Sequence, residues 1–182
     1  MNAVKRIIKY VSGTCDYGLF YSKESNFSLA GFSNSDWVSN GDDRKSTTSR
    51  CFYVGANLVA WMSKKQNYVS LSTAEAEYSV RSCCSQLLWM KIFFSDYEIS
   101  QDTMVVYCDN SSVIDISKNH AQHSNTKHIK IRYHFIRDLV ERKNMALEYI
   151  STEPQNADII TKPLNRSKFE TLHQVIDVIL CR

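Results

Sequence analysis

The sequence predicts a mixed α/β fold: a five-stranded sheet, three strands in an antiparallel meander plus two parallel ones, flanked by helices. Three observations predict it. Strand-like runs between 27 and 63 are joined by short loops, which implies antiparallel neighbours. A long amphipathic helix then opens in LSTAEAEY at 71–78. After it, strands and helices alternate, beginning with VVYCDNSSVIDIS at 105–117.

In chain order, Val4, Ile7, Ile8 and Val11 recur at helical spacing and give a short amphipathic helix over 3–11, closed by Gly13. YGLFYS at 17–22 reads as a strand, and FSLAGFS at 27–33 alternates well enough for one buried face. After the polar loop 39–47, CFYVGANLVAWMS holds two strands about a turn at Gly55-Ala56-Asn57. The helix from 71–78 runs to about Phe94, with Ser72 or Thr73 as its cap and Glu75 favoured by the dipole of the first turn. At about 100° per residue, Val80, Cys84, Leu87, Leu88 and Ile92 fall on the side of Glu77, and Glu75 falls opposite. An acid on an apolar stripe is costly unless paired or metal-bound, so Glu77 carries functional signal.

The run Val105-Val106-Tyr107 forms the next strand, and Asp109-Asn110-Ser111-Ser112 supply capping oxygens for a helix with Val113, Ile114 and Ile116 on its apolar side. Two readings of Asp109 stand together: a helix cap, or a carboxylate at the carboxyl end of a strand, where α/β folds place their chemistry. A helix from about Thr126 to Lys143, a strand ALEYI at 146–150 and a helix containing Asp158, Ile159 and Ile160 follow, Pro154 suiting its first turn. Phe169, Leu172, Val175, Ile176 and Ile179 mark a closing amphipathic helix.

Composition narrows the function classes. The 182 residues are 43% hydrophobic and 23% charged, enough for one domain with its own core. Five Gly and two Pro leave no room for a flexible linker. No apolar run reaches the roughly 18 residues of a membrane span, and the amino terminus lacks a secretory h-region. The six cysteines show no paired metal spacing and sit in apolar stretches, which suits buried thiols in an intracellular protein, cytoplasmic or nuclear. The separations of His120, His123, His128 and His134 do not share one helix face, against a zinc site.

A net charge of +3 decides no partner, but its distribution is informative. TKHIKIRYHFIRDLVERK at 126–143 sets Lys127, Lys130, Arg132 and Arg137 around an apolar side with aromatic residues interleaved. That pattern fits either a solvated helix face or a helix that follows a phosphate backbone. Lys64 and Lys65, ahead of the long helix, are secondary candidates for the same contact. Glu77, Asp109 and Asp158 fall on separate elements, which fits either ordinary caps and surface charges or carboxylates converging at one end of the sheet, as two Mg²⁺ ions about 3.5–4 Å apart require. Asp36 follows the first core strand.

GFSNSDW (31–37), DDRKSTTS (42–49), VAWMSKKQ (59–66), LSTAEAEY (71–78), VVYCDN (105–110), HSNTKHIKIRYHFIR (123–137) and ADIITKPL (157–164) occur in family order over nearly the whole chain. With them the sequence resembles the RNase H domain of plant copia-type retrotransposon Pol polyproteins. The resemblance implies an RNase H-like domain at 26–164, a remnant of the connection from reverse transcriptase at 1–25, and a carboxyl-terminal helix at 165–182. It implies Mg²⁺- or Mn²⁺-dependent cleavage of RNA in an RNA/DNA hybrid. It places the second, third and fourth metal carboxylates on Glu77, Asp109 and Asp158.

The first carboxylate of that family falls on Asn34. An amide is neutral and its nitrogen cannot ligate, so a bridging ligand and a negative charge are lost, and weak metal binding with little hydrolysis is expected. Arg50 stands where the family has Gly, and the 150–158 loop has no His. Asp36 lies on the same side of an extended strand as Asn34 but about 6.5 Å further on, beyond the metal–metal spacing. The rival expectations are an active ribonuclease H using Asp36, and a protein-interaction module without catalysis. No membrane partner is expected.

Overall fold

The computed structural model describes residues 2–23, 26–36, 47–65, 73–118 and 127–180; within these, the side chains of 36, 73–78, 116–118, 127–133 and 180 are not described. The chain forms α1 (Asn2–Gly13), β1 (Tyr17–Leu19), β2 (Leu29–Asp36), β3 (Thr47–Val54), β4 (Asn57–Lys65), α2 (Thr73–Ser95), β5 (Met104–Cys108), α3 (Ser111–Lys118), α4 (Lys127–Glu141) and β6 (Met145–Tyr149). A 3-10 helix (Asn156–Ile160), α5 (Arg166–Val175) and β7 (Val178–Leu180) complete it.

The main sheet has five strands in the order β4-β3-β2-β5-β6. β3 pairs antiparallel with both β2 and β4, whereas β5 pairs parallel with β2 and β6. This is the mixed sheet expected from the sequence. Parallel pairing demands crossover connections, and α2 with α3–α4 supplies them.

α2, α3 and α4 pack against the sheet over a core that includes Val80, Leu87, Val106, Val113 and Ile136. Gly31 of β2 makes the closest approach possible. A Cβ there would meet Cys83 Sγ at 2.6 Å and Leu87 Cδ1 at 3.2 Å. A second, smaller cluster includes Cys51, Tyr53, Ala157 and Ile176.

Several local expectations are corrected. The buried stripe of α2 runs through Val80, Cys83, Cys84, Leu87 and Met90, while Ile92 is 65% exposed. On an ideal helix Ile92 lies about 140° from Leu87. The stripe is therefore centred about 80° from position 77 rather than on it. The helix expected to contain Asp158, Ile159 and Ile160 is present as a 3-10 helix: Gln155 caps it and Thr161 N–H returns to Asp158 O. The closing helix stops at Val175 because Asp177 takes a left-handed conformation (φ 55°), and Ile179 then lies in β7. β7 pairs antiparallel with β1, which spans three residues instead of six. α1 forms as expected, yet Val4, Ile7, Ile8 and Val11 are all exposed.

The thiols follow burial. Desolvation raises Cys51 and Cys84 to about 12 and Cys108 to about 11, and pushes the fully enclosed Cys83 well above its ordinary value. Among the described cysteines Cys15, just after α1, departs from the buried pattern and is exposed, while Cys181 lies outside the described residues. Among the described residues, no helix is long and apolar enough to cross a membrane.

Candidate active site

β2 alternates its side chains between two layers. Gly31 and Ser33 face α2, with Ser33 Oγ 2.5 Å from Ser79 Oγ. Asn34 points to the opposite layer and is buried against the 3-10 helix. Its Nδ2 donates to Asp158 Oδ1 and, at 3.4 Å, to Thr161 Oγ1. Asn34 and Asp158, 124 positions apart, thus form one polar centre.

The 3-10 helix that carries Asp158 is pinned to the sheet from below. Gln155 Nε2 donates to Ser33 O at 3.2 Å, Ser49 Oγ donates to Ala157 O at 3.0 Å, and Ser49 Oγ also contacts Thr161 Oγ1. These bonds satisfy the polar groups of a turn that is otherwise enclosed. Asp158 is fully buried, and its charge is matched by two lysines: Lys168 Nζ lies 2.5 Å from Oδ2 and Lys162 Nζ lies 3.2 Å from Oδ1.

Asp109 follows the last residue of β5, half-buried. Burial holds its carboxyl above the usual carboxylate range, the nearby Asp158 charge raises it further, and Lys162 and Lys168 act in the opposite direction. The cap of α3 is made by Asn110, whose Oδ1 accepts from Ser112 N at 3.0 Å. Asp109 lies one residue before that cap. Glu77 lies in the second turn of α2, but its side chain and that of Glu75 are outside the described residues, as is that of Asp36, whose backbone pairs with Thr47. Ser79 brings this end of α2 to β2, its Oγ donating to Asn34 O at 3.4 Å.

Asp158 presents no free oxygen to a Mg²⁺ ion as arranged. Both oxygens of Asp158 face N–H donors, and among the described residues no group of three or more His, Cys, Asp or Glu could hold a metal ion.

The basic surface needs one correction. Arg137 is 8% exposed, because α4 packs against α2, α3 and β6 and so has more than one covered side. It cannot join an exposed phosphate-tracking face. Lys64 and Lys65 are exposed at the end of β4, while the side chains of Lys127, Lys130 and Arg132 lie outside the described residues. His134 is exposed, and His120, His123 and the side chain of His128 are also outside them.

Sequence reasoning missed Lys162 and Lys168. The i, i+4 spacing of Asp158 and Lys162 was a usable signal; nothing local marked Lys168. It also missed that Arg50 is buried, with Nη1 donating to Ser82 Oγ on α2.

The chain is 39% identical over 180 residues to the Retrovirus-related Pol polyprotein from transposon RE2 of Arabidopsis thaliana, covering 98% of this chain and 12% of that polyprotein. It is 38% identical over 175 residues to the Retrovirus-related Pol polyprotein from transposon TNT 1-94 of Nicotiana tabacum, covering 96% and 13%. The chain therefore spans about an eighth of the length of these relatives. No protein-family model matches it. Among solved structures, the amino-terminal RNase H domain of rv2228c from Mycobacterium tuberculosis superposes with a TM-score of 0.54 at 9% identity, over 82% of this chain and 98% of that one. LC11-RNase H1, solved in complex with an RNA/DNA hybrid, gives 0.53 at 12% identity over 73% and 93%. At such identities the likeness carries the fold alone.

Proposed function

We propose that this chain, a homologue of plant copia-type Pol polyproteins with the RNase H fold, is a nucleic-acid-binding domain that has lost most of the hydrolysis its ancestor performed. In this reading 26–164 is the working domain, with 1–25 and 165–182 as its flanks. The ancestral reaction is metal-dependent cleavage of RNA in an RNA/DNA hybrid. Glu77, Asp109 and Asp158 are its surviving metal carboxylates, and Mg²⁺ or Mn²⁺ is held weakly.

One observation carries the reading: an amide stands at position 34 with its N–H directed into Asp158. A carboxylate there would repel Asp158 and draw a dication, whereas Asn34 neutralises nothing and occupies an acceptor the metal would need. The hybrid named for LC11-RNase H1 supports the substrate class, as does the foamy viral protease-reverse transcriptase in complex with RNA/DNA hybrid, which superposes at 0.52 over 81% of this chain and 20% of that one.

Binding tests the reading without cleavage. Lys64→Ala/Lys65→Ala and Lys130→Ala are expected to weaken hybrid affinity and flatten its salt dependence, each lost phosphate contact changing the slope by about 0.7–0.9. Unchanged affinity and slope in a fluorescence-anisotropy titration would instead favour a protein-interaction module.

A further inference from the structure

Asp158 presents an electrostatic arrangement that the loss of a carboxylate at position 34 does not explain. A fully enclosed carboxylate needs counter-charge and donors, or its charge is prohibitively costly. Lys168 supplies both. Its side chain is 12% exposed, and its ammonium lies 2.5 Å from Asp158 Oδ2 and also donates to Thr152 O at 2.6 Å. With the second contact the ammonium has two fixed acceptors, so the lysine is held rather than merely nearby. Lys168 belongs to the first turn of α5, whose start is set by Asn165 accepting from Lys168 N. Lys162, 30% exposed, reaches the other oxygen at 3.2 Å. With Asn34 on that same oxygen, three nitrogen donors surround one carboxylate.

We infer that Lys168 is the resident counter-cation of Asp158, held where it competes with any divalent ion for that carboxylate. Lys162 is the more exposed, second contributor. A divalent ion binding Asp158 must displace the Lys168 ammonium or sit beside it, and like charges a few ångströms apart in a screened-off site repel strongly. Removing the ammonium leaves an uncompensated buried carboxylate, which a free dication can then satisfy. The inference rests on these ion pairs and not on nucleic-acid binding.

Mn²⁺ alone, titrated into the full chain without nucleic acid, is the probe, with thermal melting in chelator-treated and Mn²⁺-containing buffer as a second readout. Lys168→Met is expected to bind Mn²⁺ at least about tenfold more tightly than the natural chain, since a like charge beside the ion is gone. It is also expected to melt several degrees lower without metal and to recover most of that loss in Mn²⁺, because an ion that binds only the folded state stabilises it. Lys168→Arg should behave as the natural chain. Asp158→Asn/Lys168→Met should lose the response to Mn²⁺. Equal Mn²⁺ affinity in the natural chain and Lys168→Met would overturn the inference. So would a Lys168→Met chain that unfolds without metal and is not refolded by Mn²⁺. Either failure leaves hybrid binding through Lys64 and Lys65 untouched, since no nucleic acid enters the test.

Discussion

The site turns on the difference between an amide and a carboxylate at position 34. Asp109 was legible from its place at the end of a strand and Asp158 from its place in a separate element, whereas Asn34 was legible only through the resemblance. The lysines around Asp158 were not legible in that way. Lys168 meets Asp158 through the turn between the 3-10 helix and α5, a contact made by tertiary geometry and not by periodicity. Asp109 offers a test at this scale. Burial raises its carboxyl in the folded state, so ionising it costs stability. That cost is absent below the ordinary carboxylate pKa, where the group is protonated folded or unfolded. It appears as pH rises through the raised folded value. Asp109→Asn is therefore expected to melt above the natural chain at pH 7 and level with it near pH 3. Melting curves across that range check this, and a variant less stable at pH 7 would show that the Asp109 charge is held favourably.

At the scale of elements, the long helix was found from its period, yet its buried stripe lay to one side of the expected one. Hydrophobic spacing fixes a helix well but leaves its rotation open when apolar residues such as Ile92, Phe93 and Trp89 also decorate the outer side. Gly31 settles the rotation, because only a residue without a Cβ admits Cys83 and Leu87 so close to β2. Gly31→Ala is accordingly expected to destabilise the domain by about 1–3 kcal/mol, the usual cost of overpacking a filled core. Urea denaturation measures it, and an unchanged midpoint would mean that α2 is free to move off the sheet. The short β1–β7 pair was beyond sequence reasoning. β7 has three residues, follows a helix directly, and is defined by a partner more than 150 positions away.

For the whole molecule, the strand order was the most readable feature. Short loops impose the meander and helical crossovers impose the parallel pairs, so the mixed sheet follows from connection lengths alone. That sheet brings the ends of β2 and β5 side by side through the parallel register Ser33–Cys108, and so sets Asn34, near the end of one strand, beside Asp109, the residue that follows the other. The RNase H fold is therefore retained, and we propose that its chemistry is not. Hydrolysis of a labelled RNA/DNA hybrid in Mg²⁺ and in Mn²⁺, comparing the natural chain with Asn34→Asp, tests this most directly. Asn34→Asp is predicted to cleave at least about a hundredfold faster, a barrier difference of roughly 2.7 kcal/mol, and to be indifferent to Asp36→Asn. Efficient cleavage by the natural chain, abolished by Asp36→Asn, would contradict the account and make Asp36 the working ligand.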